Sequence, residues 1–152
     1  MQLMEAVPDF ELPATGTQRF QLSAMRGAPL VLYFYPKDAT PGCTDEGLQF
    51  TGLHEQFRQL KCTVLGISRD TIASHERFKA RMAFPFDLLS DTEEKACTLF
   101  GVMKQKNMYG KQVRGIERST FVIDAEGRLR REWRGVSVPG HAQEVLDFVR
   151  SL

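Results

Sequence analysis

No C-x-x-C pair occurs in this chain, and its three cysteines, Cys43, Cys62 and Cys97, are odd in number and far apart. That pattern excludes a thioredoxin-type dithiol and a disulfide scaffold, and it points to free thiols in a reducing compartment. Long apolar runs are lacking as well: no stretch approaches the ~20 residues of a membrane span. The opening MQLMEAVPDFEL has no basic region, apolar core or small-residue cleavage site, so no secretory leader is expected and the protein reads as cytoplasmic. Charge of one sign is also missing, with 20 Lys and Arg against 19 Asp and Glu and a net charge of +1. Nucleic-acid binders usually show a basic excess or stripe, so no nucleic-acid partner is expected. The one basic run, Arg128 to Arg134, alternates with Leu, Glu and Trp and fits a solvated strand face. The histidines, His54, His75 and His141, are scattered without metal-ligand spacing, and neither G-x-G-x-x-G nor G-x-x-x-x-G-K-S/T occurs. No metal or cofactor is expected.

What is present suits one domain over residues 1–152. The chain is 42% hydrophobic and holds 11 Phe, enough for a substantial core. Residues 8–22 carry short apolar pieces around Pro13 and Gly16, which suggests an N-terminal β-hairpin or loose strands. The run Pro29-Leu-Val-Leu-Tyr-Phe-Tyr fits a central strand buried on both faces, ended by Pro36. From Pro41 to about Leu60, apolar residues recur at three- and four-residue spacing and predict one helix. Cys62 opens a second buried strand. A helix over Ser74–Met82, a short strand at Phe86–Leu89 and a helix from Glu93 to Phe100 follow. Residues 103–116 are polar with two glycines and predict a long loop. A strand at Thr120–Asp124, a hairpin partner at Leu129–Trp133 and a final helix after Pro139-Gly140 complete the chain. The order is that of an α/β protein with a central mixed β-sheet flanked by helices.

Chemistry concentrates in YFYPKDATPGCTDEGLQF, residues 33–50. Thr40 is a good helix cap, and Pro41 is favoured at the first helical position. Cys43 then falls in the first turn, at the positive end of the helix dipole, where a thiolate is favoured. Gly42 leaves room for a small molecule to approach. The neighbours Lys37, Asp38, Asp45 and Glu46 sum to −2, which disfavours a thiolate. A reactive Cys43 therefore needs a cation from elsewhere in the chain, and spacing alone does not say which. The bland alternative is a cysteine that simply packs.

The segment PKDATPGCTDE resembles the peroxiredoxin active-site motif P-x-x-x-T/S-x-x-C. Its PGCT-x-E form is similar to the peroxiredoxin Q group, also called bacterioferritin comigratory proteins. The likeness continues through VLGIS-RD, FPFDLLSD, FGV-MKQKNMYGK, GIERSTFVID and PGHAQEVL. It implies a thioredoxin-like fold with an N-terminal β-hairpin extension. It also implies a peroxidase reducing hydrogen peroxide and organic hydroperoxides. By the same resemblance Cys43 is the peroxidatic cysteine, and Thr40 is the hydroxyl that hydrogen-bonds thiolate and peroxide. Pro36 shields the pocket, and Arg118 supplies the missing cation. Glu46 belongs to the motif as a first-turn carboxylate that orients its neighbours. Tyr35, Phe84 and Met108 could line the pocket, although core packing accounts for them as well.

One departure from the group matters. Many members of the group carry a resolving cysteine, commonly at a position matching Leu48 or at one matching Lys79, and neither is cysteine here. The expectation is a one-cysteine enzyme, a monomer like many of the group, whose sulfenic acid is resolved by thioredoxin or by glutathione with glutaredoxin. The alternative is a peroxide-sensing thiol relay that oxidises a protein partner.

Overall fold

The computed structural model describes all 152 residues. Its centre is β3 (Leu30–Phe34), the LVLYF run, every residue of which is buried. Alternation along a strand sends successive side chains to opposite faces. Leu30, Leu32 and Phe34 therefore enter one core, and Val31, Tyr33 and Tyr35 enter a second. Burial on both faces explains why the run is continuously apolar.

Around β3 a seven-stranded mixed sheet is built in the order β2-β1-β5-β4-β3-β8-β9. β4 (Thr63–Ser68) lies parallel to β3, and β5 (Leu88–Ser90) lies parallel to β4. β8 (Ser119–Ile123) runs antiparallel on the other side of β3, followed by β9 (Leu129–Arg134). The N-terminal hairpin of β1 (Glu11–Ala14) and β2 (Gln18–Gln21) joins the same sheet through β5. A 3-10 turn, Leu22–Met25, follows it.

Two helical layers cover the sheet. α1 (Pro41–Gly52), α2 (His54–Gln59), α3 (Ile72–Met82) and α5 (His141–Arg150) bury the second core with Phe50, Phe57, Phe78, Val145, Leu146 and Val149. α4 (Lys95–Phe100) closes the first core with Ala96, Cys97 and Phe100. Three of the four arginines in the Arg128–Arg134 run are engaged within the fold. Arg130 pairs with Asp124, Arg131 lies 4.7 Å over Trp133, and Arg134 caps the Phe100 and Gly101 carbonyls.

Two expectations are corrected. The helix predicted over Pro41–Leu60 is two helices, α1 and α2, joined at Leu53. Gly52 is a weak helix former, and the Thr51 hydroxyl bonds back to the Gly47 carbonyl, an interaction that bends helices. Residues 103–116 are not a loop. They form a separate two-stranded ribbon, β6 (Met103–Met108) and β7 (Lys111–Ile116), paired only with each other. Most of its side chains are exposed or half-buried, so no apolar alternation marks it. Its two-residue turn has Tyr109 at φ 53° and Gly110 at φ 78°, both left-handed, which a tight hairpin requires.

Candidate active site

Cys43 sits where the predicted local chemistry puts it, in the first turn of α1 beyond the carboxyl end of β3. Open α/β sheets bind ligands at such ends. Thr40 occupies the cap position with extended backbone, and Pro41 is the first helical residue. The Thr40 side chain departs from expectation. Its hydroxyl neither caps the helix nor reaches the sulfur; it donates to the Lys37 carbonyl at 2.8 Å. The loop before α1 is thereby closed on itself. Pro36 is half-buried at its start.

Arg118 reaches Cys43 from 75 residues away. The antiparallel ladder pairs Phe34 with Ser119, so the next rung sets Arg118 beside Tyr35 and the mouth of the loop. Its carbonyl accepts from the Val136 amide at 3.0 Å, which fixes the backbone. Nη2 donates to Cys43 Sγ at 3.5 Å, and Nη1 donates to Glu46 Oε1 at 2.7 Å. The predicted cation is thus against the sulfur. The space that Gly42 was expected to leave for a small molecule holds the guanidinium instead: a Cβ on Gly42 would stand 3.0 Å from Nη2.

Glu46 is buried, with Oε2 lacking any hydrogen-bond partner. Burial pushes its carboxyl up to about 7, and the Arg118 guanidinium pulls in the opposite direction. Burial opposes charge on Arg118 too, but Glu46 and Cys43 outweigh it and hold its pKa above the usual value. A second cation lies nearby. Lys106, on β6, donates to the Ile116 carbonyl at 2.6 Å, and burial together with Arg118 depresses its pKa. Sequence spacing gave no hint of Lys106, because its segment carried no strand pattern.

The remaining candidates separate. Phe84 packs in the second core, and an added Cβ on Gly47 would come 2.4 Å from its ring, so it serves as a seat for α1. Met108 is exposed near the ribbon tip, away from any core. Tyr35 is buried and donates its hydroxyl to Asp38 at 2.7 Å. That contact belongs to a cluster the sequence did not reveal. Asp38, Asp70 and His75 bring their ligand atoms within 4.8 Å of one another. The Asp38 carboxylate faces His75 Nδ1 and accepts from the Tyr35 and Ser74 hydroxyls, while Asp70 Oδ2 accepts from the Asp38 amide and the Ser68 hydroxyl.

The other cysteines are remote. Cys97 lies in the first core, across the sheet from Cys43. Cys62 shares the second core but precedes β4, which runs parallel to β3, so a six-residue strand of about 20 Å separates it from the Cys43 end. Burial pushes the Cys62 thiol up to about 12 and raises that of Cys97 further. Leu48 is exposed on α1, and Lys79 on α3 pairs with Asp87 at 2.6 Å.

Residues 3–132 match the AhpC/TSA family model. The chain belongs to that family. It is 49% identical to peroxiredoxin Bcp of Xanthomonas campestris pv. campestris over 99% of this chain and 94% of the relative. With peroxiredoxin Bcp of Bacillus subtilis the identity is 43%, over 100% of this chain and 97% of the relative. Among solved structures, a cysteine-to-serine mutant of Xylella fastidiosa peroxiredoxin Q superposes with a TM-score of 0.94 at 44% identity, covering 99% of this chain and 96% of that one. The bacterioferritin comigratory protein of Xanthomonas campestris, described for alkyl peroxide reduction, gives 0.89 at 48% identity over 93% and 90% of the two chains. The chain is therefore a peroxiredoxin, a thiol-dependent peroxidase with the thioredoxin-like fold of its relatives. Its substrate is a peroxide and its reductant a thiol. No helix is long and apolar enough to cross a membrane.

Proposed function

We propose that this peroxiredoxin reduces hydrogen peroxide and organic hydroperoxides through Cys43, by a one-cysteine cycle completed by an external thiol. The carrying observation is the Arg118 guanidinium donating to Cys43 Sγ at 3.5 Å in a first helical turn. The thiolate attacks one peroxide oxygen; an S–O bond forms and the O–O bond breaks. The second oxygen leaves with the electron pair, takes a proton and departs as water or alcohol. Arg118 stabilises both the thiolate and that developing charge. Pro36 and Thr40 border the loop on which the peroxide arrives, and Glu46 holds the guanidinium in place at 2.7 Å. Oxygen that leaves as an alkoxide fits the alkyl peroxide reduction described for the Xanthomonas campestris relative.

Cys43 sulfenic acid then condenses with an external thiol, releasing water and forming a mixed disulfide. A second thiol attacks that disulfide and frees Cys43. Thioredoxin, or glutathione with glutaredoxin, supplies these thiols. Support for an external resolver comes from the two other thiols, buried at the far end of β4 and across the sheet. In a cytoplasmic, reducing setting both stay as thiols. Exposed large apolar side chains are few (Met1, Leu3, Met4, Leu48, Met108, Tyr109 and Leu152), which fits a monomer.

Cys43→Ser is expected to abolish peroxide consumption. Cys62→Ser and Cys97→Ser are expected to keep it with dithiothreitol as reductant. Turnover surviving in Cys43→Ser ends the assignment.

A further inference from the structure

The loop that carries Pro36 and Thr40 and leads into the helix of Cys43 is anchored by one buried carboxylate. Asp38 Oδ1 accepts from the Tyr35 hydroxyl at 2.7 Å. Its Oδ2 faces His75 Nδ1 at 2.7 Å and accepts from the Ser74 hydroxyl at 2.8 Å. Its backbone amide donates to Asp70 Oδ2 at 3.0 Å. The end of β3, the loop and α3 are thereby tied at one residue. His75 has 0% relative exposure, and its Nε2 lies 2.9 Å from the Leu89 carbonyl on β5. A carbonyl only accepts, so Nε2 is the nitrogen that donates toward β5, and Nδ1 is the one that faces Asp38. Both ring nitrogens are thus spent on positioning, one on the sheet and one on the loop.

From Asp38 the tie runs on to the cysteine. The neighbouring Lys37 carbonyl accepts the Thr40 hydroxyl, and Thr40 starts the helix bearing Cys43. Between them Ala39 is held at φ 62°, a left-handed conformation that a non-glycine residue keeps only when its surroundings impose it. We infer that His75 is a positioning residue for peroxide reduction, holding through Asp38 the loop that leads through Thr40 into the helix and so sets Cys43 against Arg118. Burial disfavours an ionised Asp38, yet its hydrogen bonds, His75 foremost, leave its pKa below the ordinary value, in keeping with a fully donated carboxylate. The inference rests on Cys43 being the reacting thiol.

The test follows oxidation of Cys43 itself by rapid-quench mass analysis, with the folded fraction of each variant measured by urea unfolding. Wild-type Cys43 that does not oxidise overturns the peroxidase reading before any His75 variant is compared. His75→Leu removes both contacts. His75→Asn keeps a donor near Nδ1, facing Asp38, whereas His75→Gln keeps one near Nε2, facing Leu89. Misplaced reacting groups typically cost roughly ten- to a hundredfold in rate. The expected result is a loss of that size in folded His75→Leu and His75→Gln, with most of the rate returning in His75→Asn. Equal rates in all three variants, slowed or not, overturn the inference, as does rescue by Gln instead of Asn. Should the His75 variants not fold, Tyr35→Phe combined with Ser74→Ala strips the same carboxylate from its other sides. A wild-type rate in that folded double variant overturns the inference, and a slowed one supports it.

Discussion

At the scale of single residues, the proposed chemistry turns on how close one guanidinium can come to one sulfur. Arg118 splits its donors between Cys43 and Glu46, and Gly42 is the residue that lets it approach. Gly42→Ala is expected to push Nη2 away, because the added Cβ meets the far end of a flexible side chain and not backbone. The protein stays folded, since alanine suits a helix, while the rate of Cys43 oxidation falls by roughly tenfold. Stopped-flow kinetics of the reduced protein with peroxide checks this, and an unchanged rate shows that the guanidinium does not need that position. Gly42 was legible in the sequence as a position without a side chain, but what fills the gap was not. Arg118 is 75 positions from Cys43, and nothing local singles it out from the other cations. Only the antiparallel rung beyond Ser119 brings the two together. Thr40 shows the opposite failure. Its residue type suggested a side-chain cap, whereas the Lys37 carbonyl took the hydroxyl first.

At the scale of elements, buried titratable groups at helix starts set where stability changes with pH. His141 opens α5, bonds to the Thr120 hydroxyl at 2.8 Å and meets Trp133 edge-on. Burial pushes its pKa down to about 4 from 6.5, against the pull of the Glu144 carboxylate. A folded-state pKa below the unfolded one contributes stability above pH 6.5 and loses it as pH falls from 6.5 through about 4. The loss at the acid end is on the order of 3 kcal/mol. His141→Gln does not titrate and can still bond Thr120, so urea unfolding midpoints are expected to show a shallower acid slope in the variant. Identical slopes exclude His141 as the source. Elements with an apolar face were readable from sequence, β3 and α5 above all. The β6–β7 ribbon was not, because it pairs only with itself and buries almost nothing that would leave a period-two pattern. The break between α1 and α2 was equally hidden, since the apolar spacing carries through Leu53 into Phe57.

At the scale of the whole molecule, the sheet keeps the three thiols in separate places. Cys43 lies beyond the carboxyl end of β3, Cys62 precedes the start of β4, and Cys97 is on the other face. A disulfide needs Cα atoms within about 7 Å, so either internal pairing demands extensive unfolding. The sequence already suggested an external resolver through Leu48 and Lys79, and the architecture adds the reason why Cys62 and Cys97 are poor substitutes. The most direct measurement is non-reducing intact-mass analysis after one equivalent of peroxide, followed by peptide mapping. The predicted result is the gain of one oxygen on Cys43, converted to a mixed disulfide when glutathione or thioredoxin is added. A loss of two hydrogens that disappears in Cys62→Ser or Cys97→Ser would reveal an internal disulfide and contradict the one-cysteine cycle.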